Sequence, residues 1–91
     1  MKKVLMYSTA YCPYCIRARQ LLDQKGVPYR DIRVDDHPEL RQEMVDNCGR
    51  YTVPQIWIED QHIGGYDDMW ALELSGKLDI TLAAVFNSTD K

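Results

Sequence analysis

The stretch "STAYCPYCIRARQLL", from Ser8 to Leu22, decides the fold because it places two cysteines at the predicted start of a helix. Cys12 and Cys15 are three positions apart, and Pro13 can occupy the first turn of a helix, where its missing N–H costs nothing. A short apolar run from Val4 to Tyr7 precedes the stretch and predicts a buried strand. The sequence therefore predicts that the cysteine pair lies where a strand leads into a helix.

The rest of the chain predicts six further elements. Gly26 is expected to end the first helix, Tyr29 to Val34 predict a second strand, and Pro38 and Gly49 bound a second helix. Two strands, Gln55–Ile58 and Gln61–Ile63, should then form a hairpin around a Glu59-Asp60 turn. A third helix should be capped by Asp67 and Asp68 and end at Gly76. A fourth helix should follow, and its apolar residues are Leu78, Leu82, Val85 and Phe86.

The predicted order is β-α-β-α-β-β-α-α, which indicates an α/β protein with a four-stranded mixed sheet. The first two strands should be parallel, because a right-handed helical crossover joins them. The last two should form an antiparallel hairpin, and the helices should cover both faces of the sheet.

Size and composition limit the class of protein. The 91 residues, 45% of them apolar, are enough for one small domain, so we expect residues 1–91 to form a single unit with a frayed tail at 87–91. A net charge of −3 gives no reason to expect nucleic acid. The sequence has neither a signal-peptide core nor a membrane span, which predicts a cytoplasmic protein in a reducing compartment.

The paired cysteines admit three interpretations. Structural zinc needs four ligands, and beyond this pair only Cys48, His37 and His62 offer sulfur or imidazole. Cys48 falls on the apolar face of its predicted helix, His37 at a helix start and His62 on a hairpin strand, where each has an ordinary structural role. A structural disulfide would close almost no loop and so stabilise little. A redox pair has a mechanism, because a helix N-terminus stabilises a thiolate.

Three motifs together resemble a known family. "CPYC", "TVPQIWI" and "GGYDD" occur here in the order and spacing of the dithiol glutaredoxins, in particular the small bacterial type called glutaredoxin 3. The resemblance runs from about Lys3 to Leu82. It implies the thioredoxin fold, glutathione as co-substrate, no permanently bound cofactor and no metal site.

The resemblance also implies roles for individual residues. Cys12 would be the nucleophile and Cys15 the resolving thiol. A cis Val53–Pro54 bond would let the backbone of Val53 pair with glutathione, and the "GGYDD" stretch would bind its γ-glutamyl group. The implied glutathione site comprises Tyr14, Arg41, Thr52, Val53, Pro54, Gln55, Gly65, Tyr66 and Asp67.

Two positions depart from the family pattern. Thr9 stands three residues before the nucleophile, where many relatives carry lysine or arginine, so one positive charge is missing. Tyr66 stands where the family often has cysteine, a change that leaves a backbone role intact.

The implied activity is that of a glutathione-dependent thiol–disulfide oxidoreductase. It would act as a monomer on protein–glutathione mixed disulfides and on protein disulfides, such as those of reductases with a catalytic disulfide. Three alternatives remain. A thioredoxin-like protein reduced by a flavoenzyme would need no γ-glutamyl site. A glutathione-bridged [2Fe-2S] scaffold is disfavoured by Pro13 and Cys15, and a non-catalytic binding module leaves the paired thiols unexplained.

Overall fold

The computed structural model of the chain describes residues 3–87. In chain order the elements are β1 (Val4–Ser8), α1 (Pro13–Gln24), β2 (Arg30–Arg33), α2 (Pro38–Cys48), β3 (Gln55–Ile58), β4 (Gln61–Gly64), α3 (Tyr66–Leu74) and α4 (Lys77–Asn87). This order confirms the prediction. Every helix in residues 3–87 is too short or too polar to span a bilayer.

The strands form one mixed sheet in the order β2-β1-β3-β4. β1 and β2 are parallel, with Tyr7 opposite Ile32, whereas β3 is antiparallel to both β1 and β4. Glu59 has a φ of 54° in the two-residue turn between β3 and β4, as tight hairpin turns favour. The predicted parallel pair and the predicted hairpin are therefore both present.

Two hydrophobic cores lie on opposite faces of the sheet, because successive side chains of a strand point to opposite faces. The larger core joins the central strands to α1, α3 and α4, and its buried members include Val4, Met6, Leu22, Ile56, Met69 and Leu78. The smaller core packs Tyr7 of β1 and Val34 against Met44 of α2. Helices thus cover both faces, as predicted.

The N-termini of two helices contribute to the site, and their N-cap residues are Cys12 and Gly65. Cys12 is the N-cap of α1 in an extended conformation, with Pro13 in the first turn. Gly65 is the N-cap of α3 and donates its N–H to the carboxylate of Asp68 over 2.9 Å. Of the two predicted caps, Asp68 therefore closes the helix end from its third position, and Asp67 occupies the second.

The last described element of the chain is the helix α4. α4 continues to Asn87, the last described residue. The rest of the predicted frayed tail at 87–91 lies outside the described residues.

Candidate active site

The two cysteines of the "CPYC" motif differ in exposure. Cys12 is partly exposed at the N-terminus of α1, whereas Cys15, one turn inside the helix, is fully buried. Both are free thiols. This arrangement gives solvent and substrates access to Cys12 and keeps Cys15 behind it.

The surroundings of Cys12 favour its thiolate. Partial burial raises the pKa of Cys12, but hydrogen bonds from the backbone amides of Cys15 and Tyr14, a hydrogen bond from the Cys15 thiol and the charge of Arg19 outweigh it. The net effect lowers the pKa of Cys12 below that of an ordinary cysteine. Because the thiolate is the reactive form of a cysteine, the lowered pKa makes Cys12 the more reactive thiol of the pair.

The surroundings of Cys15 have the opposite effect. Burial raises the pKa of the Cys15 thiol, and so does the negative charge that develops on Cys12. The backbone N–H of Thr9, 3.5 Å from the Cys15 sulfur, opposes that increase. Cys15 is therefore protonated under conditions in which Cys12 is already ionised.

Arg19 contributes to the site, and the sequence analysis did not identify it. Its guanidinium donates to the hydroxyl of Ser8 at 3.1 Å and to the carbonyls of Thr9 and Ala10 at 3.5 and 3.3 Å. It also pairs with the carboxylate of Asp31 at 3.4 Å. Arg19 thus connects α1 to the loop before Cys12 and supplies a positive charge that Thr9 does not. The available signal was a cation four residues after Cys15, one helical turn along.

The Val53–Pro54 peptide bond is cis, as predicted. The carbonyl oxygen of Val53 lies 4.0 Å from the sulfur of Cys12. The residue before the proline therefore presents a backbone acceptor to the Cys12 thiol, although the two belong to segments far apart in the chain.

An open cleft of about 200 Å³ lies beside this loop. Its lining brings together eight of the predicted glutathione-site residues: Tyr14, Thr52, Val53, Pro54, Gln55, Gly65, Tyr66 and Asp67. Asp68 of the "GGYDD" stretch and Arg50, which was not among the predicted site residues, complete the lining and approach each other to 3.5 Å. The "CPYC", "TVPQ" and "GGYDD" motifs therefore meet at one cleft.

Two predicted residues have unexpected surroundings. Arg41 is not part of the cleft lining and donates to the carbonyl of Tyr51 at 2.6 Å. The side chain of Gln55 lines the cleft but is buried, with its amide nitrogen 3.0 Å from the carbonyl of Thr52. Its amide oxygen lies 2.8 Å from Nε2 of His62, which is therefore a hydrogen-bond donor to Gln55.

The space around Gly64 and Gly65 shows what a side chain at each position would contact. Gly64 has a φ of 115°, and a Cβ there would collide with the carboxylate of Asp68. A Cβ on Gly65 would lie 3.4 Å from the carbonyl of Pro54, in ordinary van der Waals contact with the cleft wall. The steric requirement for glycine is therefore at Gly64, where the backbone conformation and the carboxylate of Asp68 both exclude a side chain.

The described residues show no cluster of three or more side chains suited to a metal ion. Cys48 lies against the smaller core, and its thiol donates to the carbonyl of Arg50 at 3.3 Å. His37 is the N-cap of α2, as predicted from its place before Pro38.

Comparisons with known proteins agree with this geometry. The family model described as Glutaredoxin matches residues 4–63. The chain is 56% identical over 84 residues to a glutaredoxin of Pseudomonas aeruginosa, covering 92% of this chain and 100% of that protein. It is 48% identical over 79 residues to glutaredoxin 3 of Escherichia coli strain K12, covering 87% of this chain and 95% of that protein.

A solved structure of similar shape is a buckwheat glutaredoxin–glutathione complex, with a TM-score of 0.85 and 32% identity over 92% of this chain and 79% of that one. The likeness extends over both the fold and the sequence. The chain belongs to the glutaredoxin family and is a glutathione-dependent thiol–disulfide oxidoreductase.

Proposed function

We propose that the Cys12–Cys15 dithiol reduces protein–glutathione mixed disulfides and protein disulfides, with glutathione as the electron donor. One observation carries the proposal: the thiol whose pKa is lowered, Cys12, lies 4.0 Å from the carbonyl of Val53, which lines the cleft. A ligand that pairs with the Val53 backbone would hold its own sulfur next to the nucleophile.

Reduction of a mixed disulfide needs Cys12 alone. Its thiolate attacks the glutathione sulfur, the substrate sulfur leaves as a thiolate and takes up a proton, and glutathione stays bonded to Cys12. The thiolate of a second glutathione then attacks that bond, which releases oxidised glutathione and restores the Cys12 thiolate.

Reduction of a protein disulfide needs both thiols. The Cys12 thiolate attacks one sulfur of the substrate disulfide, which breaks the S–S bond, and the other substrate sulfur leaves as a thiolate that takes up a proton. Cys15 then loses its proton and attacks the Cys12 sulfur, which releases the remaining substrate sulfur as a second thiol and leaves a Cys12–Cys15 disulfide. Two glutathione molecules reduce that disulfide and supply its two electrons. Formation of the mixed disulfide removes the negative charge on Cys12, and with it one cause of the raised pKa of Cys15.

The cleft suits glutathione in one orientation. The cysteine backbone of glutathione would pair with Val53, and the unpaired amides in the first turn of α3 would hold its α-carboxylate. The carboxylate of Asp67 would meet the α-ammonium. Tyr14 and Tyr66 would cover one side of the ligand, Thr52 and Pro54 would form the wall, and Gly65 would allow close backbone approach.

The glycyl carboxylate of glutathione would be held by arginine side chains. Arg50 lines the cleft, and we propose that it acts there together with the predicted Arg41. The side chain of Gln55, held by Thr52 and His62, would orient the Thr52 segment.

The proposed setting follows from the chemistry. A dithiol that glutathione reduces is expected in the cytoplasm, where the glutathione pool is reducing. We propose that the protein acts as a monomer, and that reductases with a catalytic disulfide are among its protein substrates.

The direct test is an assay that couples the reduction of a small glutathione mixed disulfide to glutathione reductase. Measured separately, the rate at which Cys12 attacks the mixed disulfide should increase with pH up to the pKa of Cys12, below that of an ordinary cysteine, and then stay constant, because protonated Cys12 does not react. If thioredoxin reductase supported turnover and glutathione did not, the proposal would be wrong and the result would favour a thioredoxin-like protein.

The γ-glutamyl site can be tested separately with Asp67→Asn. This change removes a negative charge from the cleft lining and should raise the KM for glutathione about twofold to fivefold, since an exposed ion pair is of modest strength. Asp60→Asn, in the exposed hairpin turn, is the matched control and should leave KM unchanged. Equal KM values for the two variants would mean that Asp67 does not contact the ligand.

A further inference from the structure

A second groove, of about 190 Å³, lies between α1 and α3 on the far side of Tyr66. It is lined by Arg17, Gln20, Leu21, Gln24, Tyr66 and Trp70. Tyr66 lines both this groove and the cleft beside Cys12. The groove is therefore a direct extension of the active-site surface.

Three aromatic side chains form a continuous ridge between the two hollows. The ring centroids of Tyr14 and Tyr66 are 6.5 Å apart, and those of Tyr66 and Trp70 are 6.1 Å apart with nearly parallel planes. Tyr14 is 49% exposed and Trp70 is 39% exposed. Large aromatic side chains that remain accessible beside a reactive group are typical anchors for a binding partner.

The charge of the groove identifies the kind of partner. Arg17 is the one charged residue among those that line the groove in the described part of the chain, and its guanidinium lies 5.9 Å from the ring centre of Tyr14. None of the ion pairs found within residues 3–87 involves Arg17. Of the three carboxylates on α3, Asp68 pairs with Arg50, Glu73 pairs with Lys25, and Asp67 lines the cleft beside the cis proline rather than this groove.

We propose that this groove binds the substrate segment next to the reactive cysteine and selects a segment that carries a carboxylate beside an apolar side chain. The carboxylate would pair with Arg17, and the apolar side chain would pack on Tyr66 and Trp70. This inference rests on the proposed function, because the segment belongs to the protein whose disulfide Cys12 reduces.

The length of the helix defines the spacing. Arg17 follows Cys12 by five positions, or about 7.5 Å along the axis at roughly 1.5 Å per residue. An extended peptide advances about 3.3 Å per residue, so the carboxylate belongs two or three residues from the substrate cysteine.

Two peptides test the selection. Each peptide carries one cysteine as a glutathione mixed disulfide. The variable position lies three residues from that cysteine and is glutamate in one peptide and lysine in the other. A phenylalanine stands beside the variable position in both peptides. The wild-type protein should reduce the glutamate peptide with a kcat/KM about threefold to fivefold higher, as expected for a partly exposed ion pair. Arg17→Glu should reverse the preference.

Two variants serve as controls and as a second measurement. Lys77→Glu makes the same charge change on the exposed start of α4, away from the groove, and should keep the wild-type preference. Trp70→Ala should lower kcat/KM about fivefold or more for both peptides, as truncation of an aromatic anchor does, with unchanged turnover of a small mixed disulfide of glutathione and cysteamine.

The small mixed disulfide separates the two proposals. If the wild-type protein does not reduce it, the proposed function fails. If it is reduced normally but the two peptides react equally, or Arg17→Glu and Lys77→Glu behave alike, the groove does not select substrates and the inference is wrong.

Discussion

Replacing Cys12 by serine should abolish both reductase activities, whereas replacing Cys15 by serine should abolish only one. A serine hydroxyl stays protonated and is a poor nucleophile, so Cys12→Ser should retain less than about one per cent of the rate with any disulfide. The charge-stabilising amides of Cys15 and Tyr14 cannot compensate, because they act on a thiolate that is no longer present.

Cys15→Ser separates the two routes. A second glutathione can release the mixed disulfide on Cys12, so turnover of a small glutathione mixed disulfide should stay within about threefold of the wild-type rate. Reduction of a protein disulfide by the dithiol route should fall at least about tenfold, because no thiol remains behind Cys12 to attack it. The two assays on the two variants measure this directly.

Cys48→Ser is the matched control for the loss of a thiol. Cys48 packs against the core on the α2 side of the sheet and bonds to the carbonyl of Arg50, so its loss should cost some stability and leave both rates unchanged. A Cys15→Ser protein that is inactive on the mixed disulfide, together with an active Cys12→Ser protein, would exchange the assigned roles. A large loss of activity in Cys48→Ser would make it a third redox centre.

The fold could be predicted because its signals are local. Pro13, Pro38 and Gly49 mark helix ends, and the apolar runs at Val4 and Gln55–Ile58 predict strands that bury alternate side chains on two faces. The predicted bounds differ from the observed ones by a residue or two. Tyr66, for example, begins α3 one position before the predicted caps, because Gly65 provides the N-cap.

The missed parts of the site depend on contacts between elements. Arg19 reaches Asp31 only because β2 lies beside β1, and no local pattern shows that pairing. His62 reaches Gln55 because the hairpin places it next to Trp57, with ring centroids 4.7 Å apart. The motifs were enough to predict which segments meet at the cleft. The side-chain contacts between elements could not be predicted without knowing the register of the strands.

The substitution Arg19→Met should both destabilise the protein and raise the pKa of Cys12. Arg19 and Asp31 are only 17% and 18% exposed, so removing the cation leaves a largely buried carboxylate with fewer partners. Asp31 keeps its bonds to Ser8 and Arg33, which limits the loss in the free energy of unfolding to about 1–3 kcal/mol. The carbonyls of Thr9 and Ala10 also lose their donor, which loosens the loop before Cys12.

Arg33→Met is the matched control, since Arg33 bonds to the same carboxylate oxygen but is 46% exposed. An exposed ion pair contributes little, so this variant should lose about 1 kcal/mol or less. Arg19→Lys separates charge from hydrogen bonding. It should keep the pKa of Cys12 lowered, because the positive charge remains, but it should lose stability, because one ammonium cannot replace the guanidinium fork.

Denaturant unfolding and the pH titration of thiolate absorbance measure the two effects independently. We expect Arg19→Met to lose stability and to show a raised Cys12 pKa, Arg19→Lys to lose only stability, and Arg33→Met to change neither by much. If Cys12 titrated in Arg19→Met as it does in the wild type, the backbone amides of Tyr14 and Cys15 and the Cys15 thiol would stabilise the thiolate without the charge of Arg19. Arg19 would then act only by holding the loop, and its charge would not compensate for the missing cation at Thr9.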